Sequence, residues 1–237
     1  MSGGGWPKFT PVADHALLVS FADTITDEAG AAVLALDAEL ARSPPEGMVE
    51  CVPAYVSLLI DFDPLVTDHG RVEAEAENLW RMASSRPTAS TVPSQVHEVE
   101  VCYGGELGPD LEAVAAASRL SVEQVVELHL RGDYRVRMYG FAPGYAYLAG
   151  VPAEIQVPRK PAAVRDIPAG SVLIAGPQCL VTTLDMPTGW SVIGSSPTRI
   201  LTRNESSPFL FGVGDRVRFT RIDLAEYQER LARTSHA

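Results

Sequence analysis

The sequence predicts an α+β protein, in which a small N-terminal α+β sandwich domain is followed by a β-barrel domain. The first half alternates short apolar runs with helical periodicity, whereas after Arg131 β-rich segments recur about every ten residues between Gly and Pro turns. Between the halves lies a stretch rich in Ser, Thr and Pro with few apolar residues. We therefore predict domains at residues 1–83 and 97–237, joined by a linker at 84–96.

The N-terminal domain is predicted to contain three strands and two helices. Short apolar, β-rich runs indicate the strands, and apolar residues three to four positions apart indicate the helices. The predicted elements are a strand at Ala16–Phe21, a helix from about Glu28 to Ala41, strands at Met48–Val52 and Val56–Phe62, and a helix from about Arg71 to Met82.

The second domain is predicted to begin with a strand at Val99–Tyr103 and two short helices. Asp110 is expected to act as the N-cap of a helix at Leu111–Ala117, because an aspartate carboxylate accepts hydrogen bonds from the first free backbone amides. Ser121 and Gln124 have the spacing of a capping box, which predicts the start of a second helix.

The composition excludes several classes of function. The chain has 237 residues, 46% of them hydrophobic, and a net charge of −11, which argues against binding to nucleic acid. There is no signal-peptide pattern, and no apolar stretch approaches the roughly 20 residues needed to span a membrane, so we predict a cytoplasmic protein without a membrane partner. The three cysteines are isolated in sequence, which predicts neither a disulfide framework nor a metal site.

The candidate site lies between Cys102 and Gly194, where turn residues alternate with aromatic and charged ones. Glu106 and Asp110 lie on a Gly-rich turn, which suits proton transfer or an anion held by backbone amides. The alternative is that Asp110 only caps a helix and Glu106 is a solvated charge. His129 has a side chain suited to general acid or base catalysis, but a histidine near a helix end also interacts with the last carbonyl groups.

Basic and aromatic residues extend this candidate site. Arg159 and Arg165 belong to the main basic concentration of an acidic chain, and guanidinium groups bind carboxylates or phosphates bidentately. The alternative is a solvated barrel rim. Phe141, Tyr145 and Tyr147 flank a Pro-Gly turn and suit a flat amide or ring, although they are equally suited to capping the barrel.

Three motifs in this region resemble those of a known family. They are Tyr103-Gly104-Gly105-Glu106-Leu107-Gly108-Pro109-Asp110-Leu111, Gly140-Phe141-Ala142-Pro143-Gly144-Tyr145-Ala146-Tyr147-Leu148 and Pro168-Ala169-Gly170-Ser171-Val172. They are similar to motifs of the B subunits of prokaryotic ATP-dependent 5-oxoprolinases, also described as allophanate hydrolase subunit 1. The same family includes a sporulation kinase inhibitor and the matching half of the carboxyltransferase domain of urea carboxylase, and the resemblance covers nearly the whole chain.

The resemblance implies a cyclophilin-like barrel and a share in an ATP-dependent amide hydrolase that opens 5-oxoproline to glutamate. It implies partners like the A and C subunits of that enzyme and a small amide or lactam substrate. The resemblance also implies that the complex uses ATP, and no cofactor is expected to bind tightly to this chain. We predict that the catalytic residues are Glu106, His129 and Arg159, and that the substrate-binding residues are Tyr103, Gly104, Phe141, Pro143, Gly144, Tyr145, Tyr147, Arg165 and Gln178.

Two other functions are consistent with the same resemblance. One is half of a biotin-dependent carboxyltransferase site that acts on urea or allophanate. The other is a non-enzymatic module that inhibits a histidine kinase. The chain also differs from the resembling proteins after Gln178. Residues 179–183 and 186–188 stand where those proteins have a loop that contains a Gly and a Tyr, so the identity of the substrate is not predicted.

Overall fold

The computed structural model describes residues 5–85 and 95–236. The chain divides into two compact units, Met1–Pro93 and Ser94–Ala237. Most of the predicted linker at 84–96 lies outside the described residues, and its bounds remain a prediction. No helix in the described part of the chain has the length and apolar character needed to cross a membrane.

The first unit is a four-stranded antiparallel sheet in which the first and third strands along the chain form the two edges, and two helices pack against it. Leu58 and Ile60 of the sheet and Leu36 of the first helix are fully buried in one core. The side chains of Thr26 and Asp68 cap the two helices. The elements are β1 (Lys8–Val12), β2 (Ala16–Ser20), α1 (Asp27–Arg42), β3 (Met48–Pro53), β4 (Ser57–Phe62) and α2 (His69–Ser84).

The predicted helices and strands of this unit are confirmed to within a few residues, but the first strand escaped prediction. Lys8–Val12 is largely exposed along its length and contains Pro11, a residue that argues against a strand in a sequence pattern. It forms an edge of the sheet by pairing with β2. An edge position tolerates proline and needs little burial, which explains why the sequence signal is weak.

The second unit is built on a closed barrel of seven strands in the order β10-β7-β6-β13-β5-β12-β9. β13 runs parallel to β5, while the other pairs are antiparallel, so the barrel is mixed. The α+β class with a C-terminal barrel is thus confirmed. The barrel strands are β5 (Val96–Tyr103), β6 (Tyr134–Tyr139), β7 (Ala146–Ala149), β9 (Ser171–Ala175), β10 (Gln178–Val181), β12 (Ser191–Ser195) and β13 (Arg216–Arg221).

Helices and a small accessory sheet surround these strands. The helices are α3 (Leu111–Ser118), α4 (Val122–Arg131) and α5 (Leu224–His236), and β8 (Val164–Ile167) pairs with β11 (Met186–Thr188). The predicted capping box of α4 is confirmed, with reciprocal hydrogen bonds between Ser121 and Gln124. Asp110 occupies the predicted N-cap position of α3, but the predicted capping by its side chain is wrong. The Asp110 carboxylate makes no capping hydrogen bond, because Lys160 and the Val192 amide bind it.

β9 separates two apolar clusters, since alternate side chains of a strand point to opposite faces. Val172 and Ile174 join the barrel core. Leu173 and Ala175 join a second cluster that contains Tyr145, Trp190 and the accessory-sheet residue Ile167. The second cluster therefore lies against the outer face of β9.

His129 lies in the barrel core rather than at the surface of α4. It is completely buried. Its Nδ1 lies 2.8 Å from the Tyr103 hydroxyl and its Nε2 lies 3.6 Å from the Cys179 thiol sulfur. The rings of Tyr134 and Phe219 lie 5.1 and 4.6 Å from its own. Burial disfavours the charged imidazolium and lowers the pKa of His129 to about 3.

Replacing His129 by Gln is expected to flatten the acid side of the stability profile. The folded-state pKa is depressed below the ordinary value of 6.5, so the neutral ring stabilises the fold above that pH. This contribution then falls by about 1.4 kcal/mol for each pH unit below 6.5 until the folded-state pKa is reached. Urea unfolding of both proteins between pH 7 and 4 measures the effect, and a difference in stability that does not change with pH would contradict the assignment.

Gly150→Ala is expected to lower the free energy of unfolding by about 3 kcal/mol. Gly150 has a φ of +122°, and an added Cβ would lie 2.2 Å from the carbonyl oxygen of Asp133. Gly176→Ala is the matched control, since its φ is +53° but nothing lies within 4 Å of an added Cβ. The control should lose only about 1 kcal/mol for its left-handed backbone. Equal losses in the two variants would show that the close approach at Gly150 is unimportant.

Candidate functional site

Three segments of the second unit meet at the carboxylate of Asp110. Its Oδ2 accepts hydrogen bonds from the Val192 backbone amide at 2.7 Å and from Lys160 Nζ at 2.5 Å. The backbone amide of Lys160 donates to the carbonyl of Gly189 at 2.7 Å. The turn after β5, the segment at 158–161 and the start of β12 are thereby joined. We call this arrangement the Asp110 junction.

The Gly-rich turn enters the Asp110 junction from β5 and is tied to β12. The amides of Gly104 and Asp110 donate to the carbonyls of Ile193 and Val192 at 3.3 and 3.0 Å. Gly108 approaches β12 so closely that an added Cβ would lie 2.2 Å from the Ile193 carbonyl oxygen. Glu106 lies on the one-turn 3-10 helix Gly105–Leu107 and is exposed. The turn therefore holds Glu106 outward on a rigid base.

Arg159 lies beside the junction and projects over an aromatic ring. Its guanidinium carbon is 5.4 Å from the ring centroid of Trp190, which is within the range of a cation–π interaction. The Trp190 ring in turn packs edge-on against Tyr147, with centroids 5.9 Å apart. Arg159 is exposed whereas Trp190 is buried, so a fixed ring supports a cation that solvent and ligands can reach.

The aromatic turn lies next to this support. Tyr145 belongs to the same buried cluster as Trp190, and its hydroxyl donates to the sulfur of Met186. Burial, followed by the influence of Tyr147, raises the pKa of Tyr145 to about 12, so its hydroxyl keeps its proton at neutral pH. Phe141 packs near Tyr145 at 5.6 Å between ring centroids. It is 74% exposed and has a φ of +72°, which is a strained conformation for a non-glycine residue.

Pro143 and Gly144 complete the turn between the strands β6 and β7. The carbonyl of Pro143 accepts a hydrogen bond from Thr183 Oγ1 at 2.7 Å. Pro143 is exposed and Gly144 is buried. The contact with Thr183 fixes the turn that carries Phe141 and Tyr145.

The remaining predicted site residues lie elsewhere in the second unit. Tyr103 and His129 bond to each other in the barrel core, and no exposed face of His129 is available to a substrate. Gln178 pairs with Ala149 and Ala175 at the first position of β10. Arg165 is exposed on β8. The structure thus brings together Asp110, Lys160, Arg159 and the Tyr145–Tyr147 turn around Trp190, but it separates His129 from them.

Most of the residues after Gln178 that differ from those of the related proteins are buried and pack in the interior of the second unit. Cys179 and Val181 lie in the barrel core, and Leu180 lies in the cluster around Trp190. Thr182 is also buried and donates to the carbonyl of Pro168 at 2.7 Å. The altered residues 179–182 are therefore internal, whereas Thr183 and Met186 form hydrogen bonds with the aromatic turn.

Sequence reasoning did not find the role of Trp190 or the pairing of Asp110 with Lys160. Asp110 and Lys160 are 50 residues apart, and the local pattern around Asp110 is that of a helix cap. The concentration of basic residues was the available signal for Lys160. Within residues 5–85 and 95–236, no three His, Cys, Asp or Glu side chains converge as metal ligands would.

Comparison with known proteins identifies relatives along nearly the whole chain. The chain is 37% identical over 223 residues to the 5-oxoprolinase B subunit of Bacillus subtilis, covering 91% of this chain and 93% of the relative. It is 33% identical over 165 residues to the 5-oxoprolinase B subunit of Haemophilus influenzae, covering 70% and 72%.

Solved structures show the same fold. TTHA0988 superposes with a TM-score of 0.74 at 35% identity, covering 89% of this chain and 40% of the other, so this chain spans well under half of that protein. The uncharacterized protein PH0987 of Pyrococcus horikoshii has a TM-score of 0.54 at 38% identity, covering 93% of this chain and 100% of the other. The urea carboxylase of Kluyveromyces lactis shares the fold, with a TM-score of 0.75 at 14% identity over 93% of this chain and 22% of its own.

A family signature completes the comparison. Residues 7–211 match the family described as carboxyltransferase domain, subdomain C and D. The match spans the sheet of the first unit, the Asp110 junction and the aromatic turn. Together with the identities to the two B subunits, it shows that this chain belongs to the carboxyltransferase domain subdomain C and D family, alongside the B subunits of 5-oxoprolinase.

Proposed function

We propose that this chain is the B subunit of an ATP-dependent 5-oxoprolinase, which hydrolyses 5-oxoproline to glutamate. The observation that carries the proposal is the 37% identity to the B subunit of the Bacillus subtilis 5-oxoprolinase over 91% of the chain. Catalysis is proposed to need a complex, because the name of that relative refers to one subunit among several. The proposed partners are proteins like the A and C subunits of the enzyme.

The reaction determines which groups the complex must supply. Hydrolysis breaks the lactam C–N bond, adds hydroxyl to the carbonyl carbon and returns a proton to the nitrogen. Amide resonance makes the carbonyl carbon a poor electrophile, and ATP would supply a phosphoryl group that activates the carbonyl and then leaves as inorganic phosphate, with ADP as the other product. The groups required from protein are a cation for the substrate carboxylate, a carboxylate or imidazole for proton transfer, and a wall for the ring.

Arg159 is the proposed ligand of the substrate carboxylate. A guanidinium binds a carboxylate through two parallel N–H groups, and the exposed Arg159 is supported from one side by Trp190. Phe141, Tyr145 and Tyr147 are proposed to form the wall of the pocket, since their rings belong to or adjoin the cluster that contains Trp190. Arg165 and Gln178 stay predicted binding residues.

Glu106 is better placed than His129 to move a proton. Its carboxylate is exposed on a turn that β12 holds in place, whereas the imidazole of His129 is enclosed by the barrel core. A proton taken up by His129 would also charge a completely buried ring. Burial disfavours that charge and lowers the pKa of His129 to about 3. We retain Glu106 as the proposed general acid–base group, and we propose that His129 orients Tyr103 beside Gly104 through their hydrogen bond.

The Gly-rich turn does not suit the phosphates of ATP. The amides of Gly104, Gly108, Asp110 and Leu111 already donate to backbone carbonyls, so they cannot converge on an anion. The carboxylates of Glu106 and Asp110 would also repel one. We therefore propose that ATP binds elsewhere in the complex.

A reconstituted complex is expected to form glutamate from 5-oxoproline only when this chain is included. The chain, co-purified with the C-like and A-like subunits, should release glutamate and ADP in step, and ATP hydrolysis should depend on 5-oxoproline. Omitting the chain should abolish glutamate formation, because its residues are proposed to hold the substrate. Undiminished glutamate formation without the chain would overturn the proposal.

Arg159→Ala is expected to raise the KM for 5-oxoproline in that complex by at least tenfold, which corresponds to about 1.4 kcal/mol of lost binding. Urea unfolding should be nearly unchanged, because the exposed guanidinium adds little to stability. Arg218→Ala is the control: it removes another exposed arginine, whose partner Glu98 lies 3.9 Å away. An equal rise of the KM in both variants, or a parallel loss of stability in Arg159→Ala, would argue for a structural arginine.

A further inference from the structure

The Asp110 carboxylate does not form the hydrogen bonds that its position before a helix predicts. It precedes α3 but makes no capping hydrogen bond. Its side chain is only 20% exposed, and both hydrogen bonds to its Oδ2 come from distant segments. Partial burial of a carboxylate is costly unless it is paired and hydrogen-bonded. The pairing with Lys160 and Val192 therefore accounts for this buried charge.

Lys160 is held at both its backbone and its side chain. The side chain is 21% exposed and bonds Asp110, while the amide bonds the Gly189 carbonyl at 2.7 Å. Pro158 and Pro161 flank the pair Arg159-Lys160, and each proline ring fixes its own φ. A short segment with restricted dihedrals and two anchors at Lys160 leaves its neighbour Arg159 little freedom of backbone orientation.

The support under Arg159 is fixed by the same part of the chain. Trp190 is 5% exposed, and its amide donates to Thr188 Oγ1 at 3.1 Å. Its neighbour Gly189 accepts the Lys160 amide, so Lys160 joins the segment that carries Arg159 to the segment that carries the ring. The Arg159 guanidinium carbon and the Trp190 ring, 5.4 Å apart, are each carried by the residue next to one partner of this hydrogen bond.

We propose that Asp110 and Lys160 are positioning residues, which hold the Arg159 guanidinium over Trp190 so that its free edge faces the carboxylate of a small acidic substrate. This inference rests on the proposed role of Arg159 in 5-oxoproline binding. A long flexible side chain loses rotamer entropy when it binds a ligand, and a guanidinium already held on a ring loses less. The Asp110–Lys160 pair thereby lowers the KM and has no direct contact with the substrate.

The kinetic test is a double-mutant cycle in the reconstituted complex. Asp110→Asn keeps an acceptor for the Val192 amide and removes the charge that faces Lys160, and Lys160→Met removes the ammonium. Each is expected to raise the KM for 5-oxoproline about tenfold with a kcat within about twofold of the original. In an Arg159→Ala background neither should raise the KM further, because both act through Arg159. An additional rise in that background, or a fall of kcat alone, overturns the proposal.

Lys8→Met is the matched control, since Lys8 and Lys160 are the two lysines of the chain. Lys8 also lies over an indole ring, at 4.1 Å from Trp6 in the first unit. Its replacement is expected to leave the KM for 5-oxoproline unchanged. A rise equal to that of Lys160→Met would show that loss of any lysine weakens substrate use, and would overturn the specific role of Lys160.

A second measurement does not need an active complex. Replacing Trp6 and Trp80 by Phe leaves Trp190 as the single tryptophan. In this background, Lys160→Met and Asp110→Asn should both increase quenching of Trp190 fluorescence by acrylamide at least twofold, because Arg159 no longer covers the ring. Arg159→Ala sets the fully uncovered value. Circular dichroism is used to check that each variant is folded. If Lys160→Met does not fold, the milder Asp110→Asn variant carries the test.

The two measurements separate the failure of this inference from the failure of the proposed function. If the wild-type complex makes no glutamate but quenching rises in both variants, the 5-oxoprolinase proposal fails and the positioning of Arg159 stands. If quenching is unchanged in folded variants, the positioning proposal is overturned whatever the complex does with 5-oxoproline.

Discussion

Closure of the barrel by the parallel pairing of β5 with β13 is the constraint on which the second unit depends. It joins residues 96–101 to residues 216–221, which are separated by the rest of that unit's strands. Asp215 reinforces it, since its carboxylate accepts hydrogen bonds from the Gln95 and Gly212 amides and lies 2.8 Å from His97 Nε2. An open edge at this position would leave two rows of backbone groups unpaired.

The same closure determines where the candidate site forms. β5 pairs with β13 on one side and with β12 on the other, through Tyr103 and Gly194. The turn after β5 is therefore delivered directly to the start of β12, where Asp110 meets Val192. The Asp110 junction is an extension of the barrel, and this explains how an exposed residue such as Arg159 can be held by a rigid base.

The barrel interior and the candidate site have different chemical characters. Inside, His129 is neutral and enclosed by Tyr103, Tyr134, Phe219 and Cys179, so burial suppresses ionisation. Burial raises the pKa of the Cys179 thiol as well, and keeps it protonated. Outside, Arg159 and Glu106 are exposed to solvent, and Lys160 is paired with Asp110. We therefore propose the outer group for chemistry on a polar substrate, since charges there can form and be neutralised at lower cost.

Proteins that share this barrel fold need not share a function. Urea carboxylase shares the architecture at 14% identity, which is evidence of common fold alone. The B subunits of 5-oxoprolinase belong to the same family as this chain and are identical to it at a third or more of the aligned residues. This difference in identity is the reason to favour lactam hydrolysis over carboxyl transfer.

The sequence by itself determined the local elements and the family. The helices α1 and α2, the strands between them and the capping box of α4 follow from periodicity and short-range capping, which depend on residues a few positions apart. The motifs around Gly104, Phe141 and Gly170 were sufficient to indicate the family that the comparisons show. The exposed edge strand β1 was missed because little of it is buried.

Only the tertiary structure decided the environment of each charged or polar side chain. His129 has the pattern of a helix-end residue, but barrel closure buries it, and Asp110 has the pattern of a helix cap, but Lys160 and Val192 bind it from 50 and 82 residues away. Trp190 acquires its role only when Arg159 and Tyr147 pack against it. Contacts of this kind depend on strand order and register, which local periodicity does not encode, and burial then determines which groups can carry charge.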